Sequence, residues 1–330
     1  MRIFRMQAMS ALLVCAFSAM AHAEFKVGLV LDRGGKDDKS FNASAFAGGN
    51  KAKDELKISL KTVEASDDNA YETLHRSFAQ KDFDLIIGIG FAQAEAVKKV
   101  AAQFPNKHFA IVDSEVALPN VRSLVFEEQE GSYLVGAIAA MTSKTGTVGF
   151  IGGMDIPLIR RFEKGYEAGV KKVNPKAKVL VNFVGVTGEA WNNPPKAREL
   201  AYAQFQGNAD VVFAAAGASG NGLFDAAEEK NKFAIGVDSN QNWVKPGHIL
   251  TSMLKRVDVA VYDTIKEGQA GKFQAGTARF GLANSGVDYA VDKYNDKILP
   301  ISVRTKIEAL KKEIIQGKIK VPDLYKEKNG

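Results

Sequence analysis

The chain has 330 residues, 46% of them hydrophobic and 25% charged, with nine prolines, which excludes a disordered, collagen-like or low-complexity chain. One cysteine cannot build a disulfide framework, and a formal charge of +6 spread over scattered lysines gives no concentrated footprint for nucleic acid. At this length a single hydrophobic core is at its limit, so two lobes are expected.

Arg2 and Arg5 precede an apolar stretch from Ala8 to Met20, which ends in Ala21, His22 and Ala23. This is the layout of an export signal with cleavage after Ala23. The stretch is shorter than the ~20 residues of a membrane-spanning helix. Its removal takes away two arginines and no acid, lowering the formal charge from +6 to +4. A lipidation signal places a small residue before its cysteine, whereas Val14 precedes Cys15. The expected product is therefore soluble, periplasmic or otherwise extracytoplasmic, and not a lipoprotein.

Ten β-branched runs follow, bounded by Gly, Asp or Ser. They are Phe25–Asp32, Leu60–Ala65, Phe83–Gly90, His108–Asp113, Val121–Phe126, Gly146–Gly152, Lys178–Gly185, Ala209–Ala216, Phe233–Asp238 and Ile249–Met253. Amphipathic segments near 43–57, 71–80, 92–103, 129–142, 158–173, 194–206, 221–230 and 256–270 predict helices between them. Strand and helix in alternation predict α/β lobes with parallel sheets, and ten strands divide more comfortably into two sheets of about five than into one. The rhythm breaks near Glu127 to Gly131. The lysines after residue 310 alternate with acids and apolar residues, as on a solvated helix face.

Ligands of open parallel sheets bind beyond the carboxyl ends of the strands. Those ends carry Asp32, Gly90-Phe91, Asp113, Gly217-Ala-Ser-Gly-Asn-Gly and Asp238. Any one of them also suits a turn or a helix cap. Phe41 and Trp191 differ, being large aromatics in loops otherwise made of Gly, Asp, Asn and Ser, and one on each lobe would sandwich a flat ring. Chemistry for bond breaking is not assembled. His75, His108 and His248 share no metal-ligand spacing, Asn221 spoils a G-x-S-x-G nucleophile pattern, and neither a phosphate-binding P-loop nor a dinucleotide fingerprint is present.

The runs Gly34–Asn42 (GGKDDKSFN), Gly217–Gly222, Ala234–Gln241 (AIGVDSNQ) and Leu250–Asp258 (LTSMLKRVD) resemble the basic membrane protein family of ABC-transporter substrate-binding proteins, over nearly the whole chain beyond the signal. The resemblance implies a type I periplasmic-binding-protein fold: two doubly wound parallel-sheet lobes around a ligand cleft, joined by three crossovers. The lobes would comprise residues 24–127 with about 253–280, and 128–252 with about 281–330. It also implies capture of purine nucleosides for an ABC permease in the inner membrane. A monomer that needs no cofactor, binds no nucleic acid and is not an enzyme is expected. By position, Phe41 and Trp191 would stack on the base, Asn42 and Asp113 meet its edge, and Asp238 and Lys255 hold the ribose, with Asp32 and the Gly217 backbone nearby. The tract before Trp191 looks longer than is usual in the family. A different planar ligand such as riboflavin, or a role as the sensing component of a signalling receptor, fits the same residues.

Overall fold

In a computed structural model, residues 24–327 are described, so the signal segment and its cleavage point lie outside them. The chain begins β1 (Lys26–Leu31), α1 (Phe41–Leu56), β2 (Ser59–Glu64), α2 (Ala70–Ala79), β3 (Leu85–Ile89), α3 (Ala94–Gln103), β4 (His108–Val112) and β5 (Val121–Phe126). It continues α4 (Glu128–Thr142), β6 (Thr147–Met154), α5 (Pro157–Val173), β7 (Lys178–Gly185), α6 (Pro194–Gln206), β8 (Val211–Ala215), α7 (Gly220–Glu229), β9 (Phe233–Asp238) and β10 (Ile249–Lys255). Last come α8 (Val257–Gln269), β11 (Gly276–Phe280), β12 (Val287–Tyr289), α9 (Ile301–Ile315) and α10 (Leu324–Glu327).

Two six-stranded sheets result, in the orders β11-β5-β4-β3-β1-β2 and β12-β10-β9-β8-β6-β7. The central strands β1, β3, β4 and β8 are buried almost throughout, which is why they read as unbroken apolar runs. All pairings are parallel except β10 with β12. The expectation of five strands per sheet is corrected to six. The additional strands are β11, a polar edge strand with alternating exposure, and the three-residue β12, and neither carries an apolar run. The chain passes between sheets after β5, after β10 and after β11, giving three crossovers.

Each sheet reverses its strand order once, between β1 and β3 and between β6 and β8, and a crevice opens there at the carboxyl ends. Helices α4 and α5 pack side by side where the chain enters the second lobe. Gly169 makes that approach possible, because a Cβ there would stand 2.0 Å from the Tyr133 carbonyl oxygen. Among the described residues no helix is long and apolar enough to cross a membrane.

Candidate ligand site between the lobes

The carboxyl ends of both sheets meet around a cavity of about 60 Å³ that opens to solvent. Asp32, Gly34, Asp38, Phe41, Asn42, Gly90, Phe91 and Asp113 line it from the first lobe. Leu158, Ile159, Phe162, Trp191, Ala215, Ala216, Gly217, Val237 and Asp238 line it from the second, and Lys255 stands at the end of β10. All eight residues singled out from the sequence thus stand on one wall system. Phe91 and Phe162 were not among them. Phe91 had a signal, as the residue directly after the Gly90 strand end, whereas Phe162 sits mid-helix in α5 and had none.

The loop from β1 to α1 is built around Asp38, whose carboxylate accepts the backbone N–H groups of Ser40 (2.8 Å), Asn42 (2.9 Å) and Ala43 (3.0 Å). It thereby satisfies orphan donors at the start of α1 and fixes Phe41 at the helix's first position. Asn42 is held as well: its amide nitrogen donates to Asp38 (3.0 Å) and its oxygen accepts the Asp32 N–H (2.8 Å). Its side chain ties the loop together whatever else it meets. Asp32 accepts the Tyr71 hydroxyl at 2.5 Å and the Arg33 N–H at 2.7 Å through the same oxygen, Oδ1. Burial nevertheless raises its carboxyl above the ordinary range.

On the second lobe, Trp191 lies against Gly153, where a Cβ would stand 2.1 Å from the indole. It meets Phe91 of the first lobe edge-on, with centroids 6.3 Å apart and planes at 73°. Asp113 and Asp238 end β4 and β9 with φ of 68° and 64°, a left-handed turn that aspartate tolerates better than most residues. Asp238 accepts the Ser40 hydroxyl at 2.5 Å, and the Ser239 hydroxyl donates to the Ser40 carbonyl at 2.8 Å. These two bonds join the lobes across the cavity.

Lys255 is 1% exposed, and its ammonium donates to Asp113 Oδ2 at 2.6 Å and lies 3.1 Å from Glu128 Oε1. It also stands 5.2 Å above the Phe41 ring. Burial opposes its charge, but Asp113, Glu128 and Asp238 together raise its pKa and keep it protonated. Burial pushes Asp113 up to about 6 against the pull of Lys255, and pushes Asp238 up to about 7. Asp113 Oδ1 is buried with no hydrogen-bond partner among the described residues. Four carboxylates and one ammonium on an otherwise aromatic and aliphatic wall suit an uncharged, flat ligand rich in N–H and O–H donors. Among the described residues no cluster of His, Cys, Asp and Glu could hold a metal.

A family model described as ABC transporter substrate-binding protein PnrA-like (Bmp) matches residues 25–325. The chain belongs to the Bmp family. Members of this family bind a small molecule and present it to an ABC transporter, and both family and fold are those of a binding protein and not an enzyme. The Bmp chain is 38% identical to the CD4+ T-cell-stimulating antigen of Listeria monocytogenes, covering 91% of this chain and 88% of that one. It is 33% identical to the ABC transporter nucleoside-binding protein BmpA of Lactococcus lactis, covering 92% and 91%. A solute-binding protein of Aeropyrum pernix superposes with a TM-score of 0.83 at 29% identity, over 90% of this chain and 94% of that one. The expected absence of a lipid anchor is corrected by this family. Relatives from Pyrococcus abyssi and Pyrococcus horikoshii, 34% and 35% identical over 80% of this chain, are named lipoproteins. Their names conflict with that expectation, and the residue before a cysteine was too narrow a criterion for excluding an anchor.

Proposed function

We propose that this Bmp-family protein captures purine nucleosides between its lobes and delivers them to the permease of an ABC transporter. The observation that carries the reading is the orphaned Asp113 Oδ1 on a cavity wall that also bears Asp32, Asp38 and Asp238. A buried acceptor without a donor is unfavourable, and a base N–H supplies one. In this reading Phe41 and Trp191 contact the ring faces, Asn42 and Asp113 the base edge, and Asp238 and Lys255 the ribose, beside Asp32 and the Gly217 backbone. A carboxylate accepting two vicinal hydroxyls forms charge-assisted bonds, which are stronger than neutral ones. The name of the Lactococcus relative, a nucleoside-binding protein 33% identical to this chain, supports the same ligand class.

Ligand touching both lobes would shift the population toward a closed form that the permease recognises. No bond of the ligand changes. The wall carries more carboxylates than ammonium groups, so a 5′-phosphate would be repelled. In a thermal-shift screen of refolded, ligand-stripped protein, inosine, guanosine or adenosine should raise the melting temperature by mass action. The corresponding 5′-monophosphates should bind at least about a hundredfold more weakly, near 2.7 kcal/mol. No shift with any nucleoside, but one with riboflavin or a sugar, would overturn the ligand class and leave the fold intact.

A further inference from the structure

Two distant parts of the chain converge on one guanidinium of α5, which Glu128 joins to Lys255 on the cavity wall. Arg161 of α5 is 3% exposed. Its Nε donates to Asp323 Oδ1 at 3.0 Å, and Nη1 to the Phe126 carbonyl at 2.8 Å and to Glu128 Oε2 at 2.6 Å. Its Nη2 donates to Glu127 Oε2 at 3.2 Å and to Asp323 Oδ2 at 3.4 Å, and the Tyr325 ring lies 4.6 Å beneath it. Phe126 to Glu128 is the first crossover between lobes, whereas Asp323 and Tyr325 belong to the C-terminal end of the chain.

Glu128 is divided between two cations, with Oε2 on Arg161 and Oε1 3.1 Å from Lys255, whose ammonium also reaches Asp113. We propose that Asp323 is a positioning residue for ligand binding, holding the Lys255 ammonium at the cavity wall through Arg161 and Glu128. Every link in this chain is buried and no longer than 3.1 Å. With the Asp323 charge gone, Arg161 draws more on Glu128, which then holds Lys255 less firmly, and the ammonium, already 2.6 Å from Asp113, is left to that carboxylate alone and loses its fixed place on the wall. A fork of two N–H donors on one carboxylate is directional, so the acceptor's charge and reach both matter.

The binding part of the test rests on the nucleoside reading, so a second readout uses ligand-free protein. Full-length Asp323→Asn and Asp323→Glu are compared with wild type by inosine calorimetry and by NMR titration of the Asp113 carboxyl. That carboxyl faces Lys255, Glu128 and Arg161, with Asp238 across the cavity. Asp323→Asn should bind inosine about tenfold more weakly and titrate Asp113 at lower pH, because Lys255 is then shared less with Glu128. Asp323→Glu should restore both to within about threefold of wild type. An unmoved Asp113 midpoint in Asp323→Asn overturns the proposal, whether or not binding weakens, because the tail would then not act through Lys255. Should wild-type protein bind no nucleoside, the ligand class fails and the titration alone decides the positioning role.

Discussion

Lys255→Met is expected to destabilise the ligand-free protein by ~3–5 kcal/mol at pH 8, because it leaves Asp113 and Glu128 facing one another in the interior without their shared cation. At about 2–4 °C per kcal/mol this is a fall in melting temperature of roughly 6–20 °C. The methionine fills most of the lysine's volume, so the loss reports charge and not a cavity. The size of the loss should depend on pH. Burial pushes Asp113 up to about 6, and without Lys255 it is raised further, so at pH 5 Asp113 is neutral while Glu128 keeps its bond to Arg161. Urea and thermal unfolding of wild type and variant at pH 5 and pH 8 check this. A variant as stable as wild type at pH 8 would show that Lys255 does not hold these carboxylates.

The second large effect is the pH dependence of the site. Burial raises Asp113 to about 6 and Asp238 to about 7, both above the ordinary 3.8. A carboxyl with a raised folded-state pKa binds its proton more tightly folded than unfolded. Its contribution to stability is therefore full below about pH 4 and lost as pH rises through 6 to 7. These two groups make ligand-free protein more stable at pH 5 than at pH 8. A ligand has the opposite preference. Ribose hydroxyls and base N–H groups donate to the ionised carboxylates, so inosine binding should expel protons between pH 6 and 7, and affinity should rise with pH through about 7 and level off above it. Calorimetry in buffers of different ionisation enthalpy reads the proton directly. Proton uptake at pH 6, or an affinity constant from pH 5.5 to 8, would contradict the assignment of ligand donors to Asp113 and Asp238.

Most of the fold was legible in the sequence because parallel strands buried on both faces announce themselves as apolar runs. Phe233–Asp238 stands where its run placed it, and Val211–Ala215 lies within the run Ala209–Ala216. Gly276–Phe280 escaped because an exposed edge strand reads like a polar loop, and Val287–Tyr289 because three residues carry no period. Helix α9 buries only Ile307 and Ile314, so its lysine-rich pattern read as a solvated face without fixing its bounds. The cavity wall was legible for a topological reason: parallel strands bring their carboxyl ends to one side, and Asp32, Asp113, Gly217 and Asp238 all occupy such ends. The partners were not. Ser40 and Asp238 are 198 residues apart, and Lys255 and Asp113 are 142 apart, and no local pattern encodes such pairs. The role of Asn42 and Asp38 as a loop scaffold likewise emerges only from distances.

The central claim is that this cavity recognises base and ribose together. Calorimetric titration of ligand-stripped protein with inosine and with hypoxanthine, repeated in Asp238→Asn, tests it most directly. The account predicts that hypoxanthine binds at least about a hundredfold more weakly than inosine, near 2.7 kcal/mol, and that Asp238→Asn removes most of that difference by weakening inosine alone. Equal binding of inosine and hypoxanthine by wild type would contradict it, placing the ribose outside the contacts of Asp238 and Lys255.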